Sequence, residues 1–267
     1  MLKYNYIIME VQRMKFISWN TNGLKNCIEK GEFEKTFKVL NADFFCIQEV
    51  KSSKPIEFHS EDYKQFWNLA KSKNGYSGTA IFCKKEPNKV YYGIQDEYGE
   101  DYDNEGRVLT LEYADFFLVN CYVPNSKANK NRLNYRLKFD EFFKRYIEKL
   151  NSIKNVIICG DFNIAYKSID VCSIYREESE NEKPDEEKLS FEELLDLGLI
   201  DTYRYYYSKE EKYSWWFQNE DNRKNNIGWR LDYILISDEL ESQMRKADIL
   251  DEIYGSDHCP IELILEV

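Results

Sequence analysis

The chain has 267 residues, of which 43% are hydrophobic and 16% aromatic, so it can bury a sizeable core and is not wholly disordered. No apolar run approaches the roughly 20 residues that a membrane span needs, and the N-terminus lacks the order of charge, apolar run and cleavage site of a signal peptide. We therefore expect a cytosolic globular protein. Residues 1–13 are interpreted as an N-terminal extension, either a disordered tail or a misassigned start.

The net charge of −11 comes from two segments rather than from the whole surface. Residues 96–105 carry six acids and no base, and residues 177–188 carry seven acids against two lysines, so the rest of the chain is neutral. We interpret both acidic runs as solvated loops. Residues 124–138 contain five bases and no acid. Two interpretations of this stretch are given equal weight: a strip that faces phosphate, or the solvent-exposed face of a helix. The total charge therefore does not exclude a nucleic-acid partner.

The seven cysteines are odd in number and contain no Cys-x-x-Cys pair, which argues against both a disulfide framework and a zinc site. Most of them lie within apolar, strand-like runs, where a free cysteine behaves as a small hydrophobic residue. We therefore predict that the cysteines are core residues.

In chain order, the sequence predicts short apolar strands with helices between them. An amphipathic helix is predicted over residues 131–150 and a short helix over residues 191–197. Phe33, Phe37 and Leu40 also have helical spacing. Without an internal repeat or a Pro/Gly-rich linker, residues 14–267 are predicted to form a single α/β domain of two packed β-sheets flanked by helices. The predicted strands are residues 14–19, 43–47, 79–83, 89–94, 107–113, 116–123, 156–159, 230–236 and 260–267.

Residues 156–163 read VIICGDFN, which is typical of a buried strand that stops at a glycine and leaves an acid and an amide at its carboxyl end. Alone, this pattern is most often an ordinary strand and turn. Other predicted strands also carry or adjoin polar residues, and chemistry in layered α/β folds collects at strand ends. The residues concerned are Asn20, Asn22, Glu49, Tyr122, Asp161, Asn163, Asp232, Asp257 and His258.

These positions supply carboxylates, amides, one phenol and one imidazole. The sequence contains no nucleophile-elbow serine, no Walker loop and no Gly-x-Gly-x-x-Gly motif. Oxygen ligands with few histidines favour a hard cation such as Mg²⁺ over zinc. A Mg²⁺ ion on carboxylates, with further donors around it, is what the hydrolysis of a phosphate ester requires.

Only two histidines are present, and they differ in context. His59 lies in a polar stretch and is assigned no role. His258 follows Asp257, just ahead of a predicted strand. A single histidine is more often structural than catalytic, but Asp232 lies on an apolar strand and needs a partner. An Asp232–His258 pair would fix the tautomer and favour the imidazolium, which makes a good phosphate contact.

A series of short stretches, in order from residue 14 onward, carries a resemblance to a known family. The stretches are MKFISWNTNGL (14–24), IQEVK (47–51), GYSG (75–78), GRV (106–108), NCYVPN (120–125), GDFNIA (160–165), ID (169–170), YSWW (213–216), GWRLDY (228–233) and SDHCP (256–260). In these stretches the chain resembles the exonuclease III family of apurinic/apyrimidinic endonucleases, within the endonuclease/exonuclease/phosphatase superfamily. WRLDY and YVPN point to the DNA-repair branch.

The resemblance implies a DNase I-like, four-layer α/β sandwich in which two mixed β-sheets pack between helices. It also implies a Mg²⁺-dependent enzyme, with Mn²⁺ as a substitute, that cleaves the DNA backbone 5′ of abasic sites. A 3′→5′ exonuclease or 3′-end-cleaning activity is expected beside it. The implied partner is double-stranded DNA with abasic sites or blocked 3′ ends. The enzyme is expected to be a cytoplasmic monomer, associated with the nucleoid if the source is bacterial.

The matching motifs also imply metal ligands. Glu49 would be the main ligand with Asn20 beside it, and Asp257 would serve a second metal position or orient the site. The complete set of implied metal ligands is Asn20, Glu49, Asp161, Asn163, Asp257 and His258.

The implied catalytic residues are Tyr122, Asp161, Asn163, Asp232 and His258. Asp161 would orient or deprotonate the attacking water, and Asn163 would hold this water or the phosphate. His258, oriented by Asp232, would contact the scissile phosphate. Tyr122 would stabilise the transition state or the leaving oxygen.

Other matching residues would bind the substrate. Trp216, Trp229 and Leu231 would wall the pocket for the base-less sugar, with ordinary core packing as the alternative for the tryptophans. Trp215 is assigned either to the core or to the pocket edge. The implied contacts to the substrate backbone are Asn22, Lys51, Tyr76, Asn125 and Arg132.

The chain departs from the family pattern after Asp170. A basic or polar stretch near a Gly-Phe-Thr segment is usual there, whereas this chain carries the acidic residues 177–188, and Tyr166 stands where histidine is common. Because phosphate neutralisation supplies most non-specific affinity, we expect weaker and more salt-sensitive binding of duplex DNA than is usual for the family.

Two alternative functions are considered. One is another member of the superfamily, acting as a general nuclease or phosphatase. The DNase I-like and sphingomyelinase-like members resemble one another in using two active-site histidines, whereas in this chain only His258 is placed to act in the active site. The other is a catalytically inactive nucleic-acid-binding module, which should show a broken motif set. The balance between endonuclease, exonuclease and 3′-phosphatase depends on pocket width and loop positions, which the sequence leaves open.

Overall fold

The computed structural model describes residues 13–58, 60–94, 102–126, 130–176, 185–217 and 220–266. Residues 1–12 of the predicted extension, His59 and much of both acidic runs lie outside the described residues. Two mixed six-stranded sheets pack face to face with helices on their outer faces, which confirms the predicted DNase I-like sandwich. Within the described ranges, no helix is both long and apolar enough to cross a bilayer.

The first sheet has the strand order β11-β12-β1-β2-β4-β3. Strands β1 and β2 are parallel, with Asn20 paired to Gln48, so both strands deliver their polar ends to the same edge. The remaining neighbours are antiparallel. The strands are β1 (Arg13–Asn20), β2 (Phe44–Gln48), β3 (Lys64–Asn68), β4 (Thr79–Cys83), β11 (Met244–Ile249) and β12 (Ile261–Glu266).

The second sheet has the order β5-β6-β7-β8-β10-β9 and centres on the predicted VIICGDFN strand. Asp161 pairs with Tyr122 on parallel β7 and with Asp232 on antiparallel β10. The glycine before it is required, because a Cβ at Gly160 would lie 2.0 Å from the Cys121 carbonyl oxygen. The strands are β5 (Lys89–Tyr92), β6 (Val108–Glu112), β7 (Phe116–Tyr122), β8 (Asn155–Asp161), β9 (Leu199–Asp201) and β10 (Asp232–Ser237).

Helices form the two outer layers. Helices α1 and α2 pack on the first sheet around Phe33 and Phe37, whose spacing places both on one face of α2. Helices α3 and α4 pack on the second sheet through Phe143 and Phe191. The helices are α1 (Leu24–Glu29), α2 (Glu32–Leu40), α3 (Lys130–Asn151), α4 (Asp185–Leu195), α5 (Thr202–Tyr206) and α6 (Glu220–Lys224).

All seven cysteines are free and buried, which confirms their prediction as core residues. Cys46 of the first sheet and Cys159 of the second belong to the same cluster between the sheets. Burial raises the pKa of Cys27 to about 12 and the pKa values of Cys46, Cys121 and Cys259 well above their ordinary range. None of these four is therefore a thiolate at neutral pH.

Most predicted elements are present, with ends that shift by a few residues. Strand 79–83 is reproduced, and the long helix spans Lys130–Asn151. The short helix begins at Asp185 rather than residue 191. Strands β3, β9 and β11 were not predicted, because β9 has three residues and the other two are edge strands with partly buried or charged side chains.

The interpretation of both acidic runs as solvated loops is wrong where the structure describes them. Asp103 is buried and accepts the backbone N–H groups of Arg107 and Val108, at 2.7 and 2.8 Å, where β6 begins. Glu187 is also buried, on α4. Unpaired backbone donors at a strand end are costly when buried, so an acid there is a structural group rather than a solubilising one.

A buried ion cluster lies behind the GWRLDY segment. Asp170 accepts from the Nε atoms of Arg230 at 2.8 Å and Arg204 at 3.0 Å, and Arg230 also binds Asp201 at 2.7 Å. Burial acts to raise the pKa of Asp170, but the two guanidinium groups hold it below its ordinary value. Two acids and two bases therefore neutralise one another where water does not reach, and they fix the backbone on either side of Arg230.

Replacing Asp170 by Asn should destabilise the fold, because the buried Arg204 guanidinium would lose its acid and Arg230 would keep only Asp201. We expect the free energy of unfolding in urea to fall by about 3–5 kcal/mol. The control is Glu141→Ala, which breaks the exposed Glu141–Arg145 pair of α3 and should cost less than about 1 kcal/mol. Equal losses in the two variants would contradict a special role of the buried cluster.

Candidate active site

The polar strand ends meet at one edge of the sandwich, with Asn20 between them. Asn20 is fully buried, and its amide nitrogen donates to Glu49 Oε1 at 3.0 Å and to Asp161 Oδ2 at 2.8 Å. Its amide oxygen accepts the backbone N–H of Asn22 at 2.9 Å. One amide therefore joins a carboxylate of the first sheet to a carboxylate of the second, although the two acids would otherwise repel each other.

The turns that follow these strands hold non-glycine residues in left-handed backbone conformation. The φ angles are +47° at Asn22, +52° at Glu49, +51° at Lys51 and +52° at Asn163. Asparagine tolerates this region, whereas for Glu and Lys it is strained. Such strain persists only where surrounding contacts fix it, and it is concentrated at functional sites. Here the turns bring the Glu49 side chain to Asn20, at 3.0 Å, and the Asn163 backbone N–H to Asp161, at 2.8 Å.

Glu49 is ionised although it is largely buried. Lys51 Nζ lies 2.7 Å from Glu49 Oε2. Burial acts to raise the pKa of Glu49, but Lys51 and the amide of Asn20 hold it below its ordinary value. Burial and the charge of Glu49 raise the pKa of Tyr122 well above 10, and Tyr122 hydrogen-bonds Glu49. At neutral pH, Tyr122 is thus a protonated hydrogen-bond donor beside a carboxylate.

Asp161 has the properties of a base poised near neutrality. Burial, opposed by His258, raises its pKa to about 7. Oδ1 accepts the backbone N–H of Asn163 at 2.8 Å. The Asn163 side chain donates to the Val123 carbonyl at 2.8 Å, and its oxygen accepts from Asn125 at 3.1 Å. Both asparagines thus lie at the same rim as Asp161.

His258 is buried between two acids. Its Nδ1 lies 2.8 Å from Asp232 Oδ2, and its Nε2 lies 3.8 Å from Asp161 Oδ2. Burial opposes the positive charge, but Asp232 and Asp161 together raise the pKa of His258 to about 10. Ser214 Oγ donates to the same Asp232 oxygen at 2.6 Å and accepts the N–H groups of Leu231 and Asp232. The predicted Asp232–His258 pair is therefore present, with the imidazolium facing Asp161.

Asp257 lies beside this group. Its Oδ1 accepts from Asn22 Nδ2 at 3.0 Å and from Ser256 Oγ at 3.2 Å, and its Oδ2 accepts from Trp215 Nε1 at 3.2 Å. Burial acts to raise the pKa of Asp257, but His258 and these donors hold it below its ordinary value. Both oxygens of Asp257 are thus hydrogen-bonded within the protein, which sets Asp257 apart from the cluster of Glu49, Asp161 and His258.

The residues present fit a hard divalent cation. Glu49, Asp161 and His258 each place one donor atom within 4.8 Å of the others, and the Asn20 amide lies between the two carboxylates. Carboxylate oxygens in a partly hydrated cluster suit Mg²⁺ or Mn²⁺. A protonated imidazole has no lone pair for a metal, so the raised pKa of His258 favours the two carboxylates over the imidazole as ligands.

The predicted phosphate contacts Tyr76 and Arg132 belong to a hydrogen-bonded network in which two arginines share one acid, Glu105. Arg132 donates to both oxygens of Glu105, at 3.2 and 3.1 Å, and to the Tyr76 hydroxyl at 3.0 Å. Glu105 also binds the buried Arg107 at 2.7 Å, and the Arg107 guanidinium lies 4.5 Å from the Tyr122 ring centroid. Arg132 is thus paired within the protein, and Arg107 supports Tyr122 from below. The side chain of Arg132 is 28% exposed, and its contact with phosphate stays a prediction.

The structure places Trp216 differently from its prediction. Trp216 is 2% exposed, belongs to the core between the sheets, and stacks on Arg223. It is Trp215 that joins Trp229 and Leu231 in one cluster at the site. The Trp215 and Trp229 ring centroids lie 5.5 Å apart, and their backbones pair by two hydrogen bonds of 2.9 Å. Trp216 thus takes the core packing that was the alternative for the tryptophans, and Trp215 takes its pocket-edge alternative, because alternating side chains of an extended segment point to opposite faces. The role of these residues in binding a sugar stays a prediction.

Sequence reasoning missed several residues that shape the site. Ser214, Glu105 and Arg107 carry no chemistry of their own, and each acts by holding another side chain. The acid-then-arginine spacing of Glu105 and Arg107 was a usable indication, because an arginine two residues from an acid at a strand start is well placed for pairing.

Comparison with known proteins gives consistent results. Residues 17–258 match the Endonuclease/Exonuclease/phosphatase family. The chain is 41% identical to an exodeoxyribonuclease of Bacillus subtilis (strain 168), over 95% of this chain and 100% of that protein. It is 37% identical to the DNA repair nuclease APEX1 of Danio rerio, over 95% and 83%. The fold is similar to an AP endonuclease of Leishmania major, with a TM-score of 0.85, 28% identity, and coverage of 96% and 88%.

The charge on His258 should make stability depend on pH in the metal-free protein. A pKa raised in the folded state contributes stability that is complete below about pH 6.5 and is lost as the pH rises toward about 10. The difference in unfolding free energy between the wild type and His258→Gln should therefore shrink across this range, by at most about 1.4 kcal/mol per pH unit.

Urea unfolding in EDTA at several pH values measures this difference. Asp232→Asn removes the main partner of the imidazolium. In an Asp232→Asn background, the change in unfolding free energy caused by His258→Gln should therefore vary less with pH. A difference that stays constant from pH 6.5 to pH 10 would contradict a charged His258.

Proposed function

The chain belongs to the endonuclease/exonuclease/phosphatase family, and we propose that within it the protein is a divalent-metal-dependent DNA-repair nuclease that cleaves the DNA backbone 5′ of abasic sites. The observation that carries this proposal is the pairing of Asp161, with a pKa near 7, and the buried imidazolium of His258 beside the ionised Glu49. A base, a phosphate-binding cation and a carboxylate for a metal are the groups that phosphodiester hydrolysis needs.

The metal would be Mg²⁺, with Mn²⁺ as a substitute, held by Glu49 with Asn20 and Asp161 beside it. When bound, it would neutralise charge on the phosphate oxygens and stabilise the negative charge that the attacking and leaving oxygens carry. Asp257 lies beyond this group and is held by Asn22 and Trp215, which supports the role of orienting the site over that of a main ligand.

Asp161 would orient and deprotonate the attacking water. A general base works best when its pKa lies near the operating pH, and burial brings the pKa of Asp161 to about 7. The Asn163 side chain, fixed by the Val123 carbonyl, would hold the water or a phosphate oxygen on the same side. The contact between Asn20 and Asp161 keeps the carboxylate from turning away from the site.

His258 would bind the scissile phosphate through Nε2, because Nδ1 is occupied by Asp232. An imidazolium in a buried site stabilises the added negative charge of a pentacovalent phosphate more than it would in water. Tyr122, protonated at neutral pH, would donate to the leaving oxygen or to the transition state.

Selectivity for an abasic site would come from the cluster of Trp215, Trp229 and Leu231, an apolar wall that accepts a bare sugar. Lys51, Tyr76 and Asn125 lie around the same edge and are proposed as backbone contacts. Arg132 would contact phosphate only in exchange for its pairing with Glu105.

A 3′→5′ exonuclease or 3′-end-cleaning activity is proposed beside the endonuclease, because the similar protein of Bacillus subtilis (strain 168) is an exodeoxyribonuclease. Both reactions need the same attack on a phosphodiester, so they differ only in what the pocket holds. A reducing, cytoplasmic compartment is proposed from the seven free, buried cysteines. The monomeric state stays a prediction. An inactive binding module is disfavoured, because the acids, amides and His258 converge.

Cleavage of a labelled duplex with one tetrahydrofuran abasic analogue tests the proposal. We expect a Mg²⁺-dependent nick 5′ of the analogue, no nick in EDTA, and a rate lower by about 100- to 10,000-fold in Asp161→Asn, as for the loss of a general base. The control is Asp115→Asn, an exposed acid in the β6–β7 turn at the opposite end of β7 from Tyr122. Digestion of intact duplex without preference for the analogue would instead support a general nuclease.

Glu49→Gln tests the metal assignment without DNA. Because Glu49 is the ionised carboxylate of the proposed site, its replacement should weaken Mn²⁺ binding, followed by calorimetry or electron paramagnetic resonance, by about 10- to 100-fold. Glu148→Gln, on the exposed face of α3, should bind Mn²⁺ like the wild type. Unchanged binding in Glu49→Gln would place the metal elsewhere.

A further inference from the structure

We propose that Trp215 is a positioning residue that connects the sugar pocket to the catalytic edge: its ring walls the pocket, and its indole N–H orients Asp257. This inference rests on the proposed function, because it specifies how one residue would serve both selectivity and chemistry. It concerns a single hydrogen bond, from Trp215 Nε1 to Asp257 Oδ2 at 3.2 Å.

The ring of Trp215 belongs to the pocket wall. It lies 5.5 Å from the Trp229 ring, 5.0 Å from the Phe217 ring and 6.3 Å from the His258 ring, measured between centroids. Trp215 is half-buried, as expected for a side chain with one face in the protein and the other open to a ligand. The indole therefore neighbours both Trp229 of the proposed sugar wall and His258.

The N–H of Trp215 holds one specific oxygen. Asp257 Oδ1 has two donors, Asn22 and Ser256. Asp257 Oδ2 has, among the residues that the structure describes, the indole of Trp215 as its donor. Removal of this N–H leaves a largely buried carboxylate oxygen without its partner, and such an oxygen turns to find another.

The orientation of Asp257 matters because a chain of polar contacts runs from it to the metal site. Asn22 donates to Asp257 and accepts from Lys51 Nζ, and the same ammonium lies 2.7 Å from Glu49 Oε2. The sequence of contacts is thus Trp215, Asp257, Asn22, Lys51 and Glu49. A rotation of the Asp257 carboxylate would release Asn22, and through it Lys51.

The backbone gives Trp215 the rigidity that this role requires. The Trp215 N–H and carbonyl both pair with Trp229, the Ser214 carbonyl accepts from the N–H of Cys259, and the Trp216 N–H donates to the Asp257 carbonyl. The segment therefore lies as a short bridge between the pocket wall and the loop that carries Asp257. The backbone of Trp215 is therefore fixed on both sides, and its indole is tied to the same loop by the hydrogen bond to Asp257.

Trp215→Phe separates the two roles, because it keeps an aromatic wall and removes the N–H. We expect kcat for the abasic duplex to fall about 10- to 100-fold, as for the loss of a hydrogen bond to a charged group, while KM changes less than about threefold. Trp229→Phe is the matched control: it trims the opposite wall and should act mainly on KM. A Trp215→Phe variant with unchanged kcat, or with its whole loss in KM, would overturn the proposal.

A spectroscopic measurement tests the hydrogen bond without metal, DNA or turnover. The protein has five tryptophans, so ¹⁵N-indole labelling gives five N–H resonances, and the Trp215 resonance is the one lost in Trp215→Phe. In Asp257→Asn, this resonance should shift more than the other four, whereas Asp115→Asn should leave it in place. A Trp215 resonance whose chemical shift is unchanged in Asp257→Asn would overturn the proposal.

The two measurements distinguish failure of this inference from failure of the proposed function. If the wild type does not nick the abasic duplex but digests 3′ ends, the proposed specificity fails, and the kcat and KM comparison is made on that digestion. Loss of kcat together with the indole shift supports the role of Trp215 on either substrate. Nicking with neither effect leaves the function standing and removes Trp215 from its mechanism.

Discussion

The site depends on one amide that bridges two sheets. Asn20 ends a strand of the first sheet, and its nitrogen binds Glu49 on that sheet and Asp161 on the second. A neighbouring contact has the same form, since Gln48 of β2 donates to Asn120 of β7 at 2.7 Å across the buried core. Polar groups inside such a core must be paired, so the sheets can pack in one register only. That register places two carboxylates at the distance that a shared cation requires.

The same arrangement gives similar groups different protonation states. Glu49 faces Lys51 and is ionised, whereas Asp161 is deeper and has a pKa near neutrality. His258 pairs with Asp232 and carries a charge that burial alone would remove. Differences of environment, rather than of residue type, thus separate the proposed metal ligand from the proposed base, and the proposed base from the proposed phosphate-binding cation. Each shift has an identified neighbour, so each can be altered separately.

The sequence predicted the layered fold and the convergence of the strand-end residues, because hydrophobic runs and the polar groups after them are local features. It did not predict edge strand β3, whose side chains are only partly buried, or the buried role of Asp103 in an acidic run. The pairing of β3 and the burial of Asp103 depend on which residues from distant parts of the chain pack against them. The choice between Trp215 and Trp216 likewise depended on which face of a two-residue segment met Trp229, and only the packed structure decides that.

The burial of every cysteine has a consequence for durability. Oxidants and alkylating agents attack the thiolate, and burial keeps thiols such as Cys46 and Cys121 protonated and out of reach. An enzyme proposed to act on damaged DNA would meet those same reagents while it works. Its thiols become reactive only when the sandwich opens, so its lifetime under chemical stress would be set by how often the fold opens rather than by its surface chemistry.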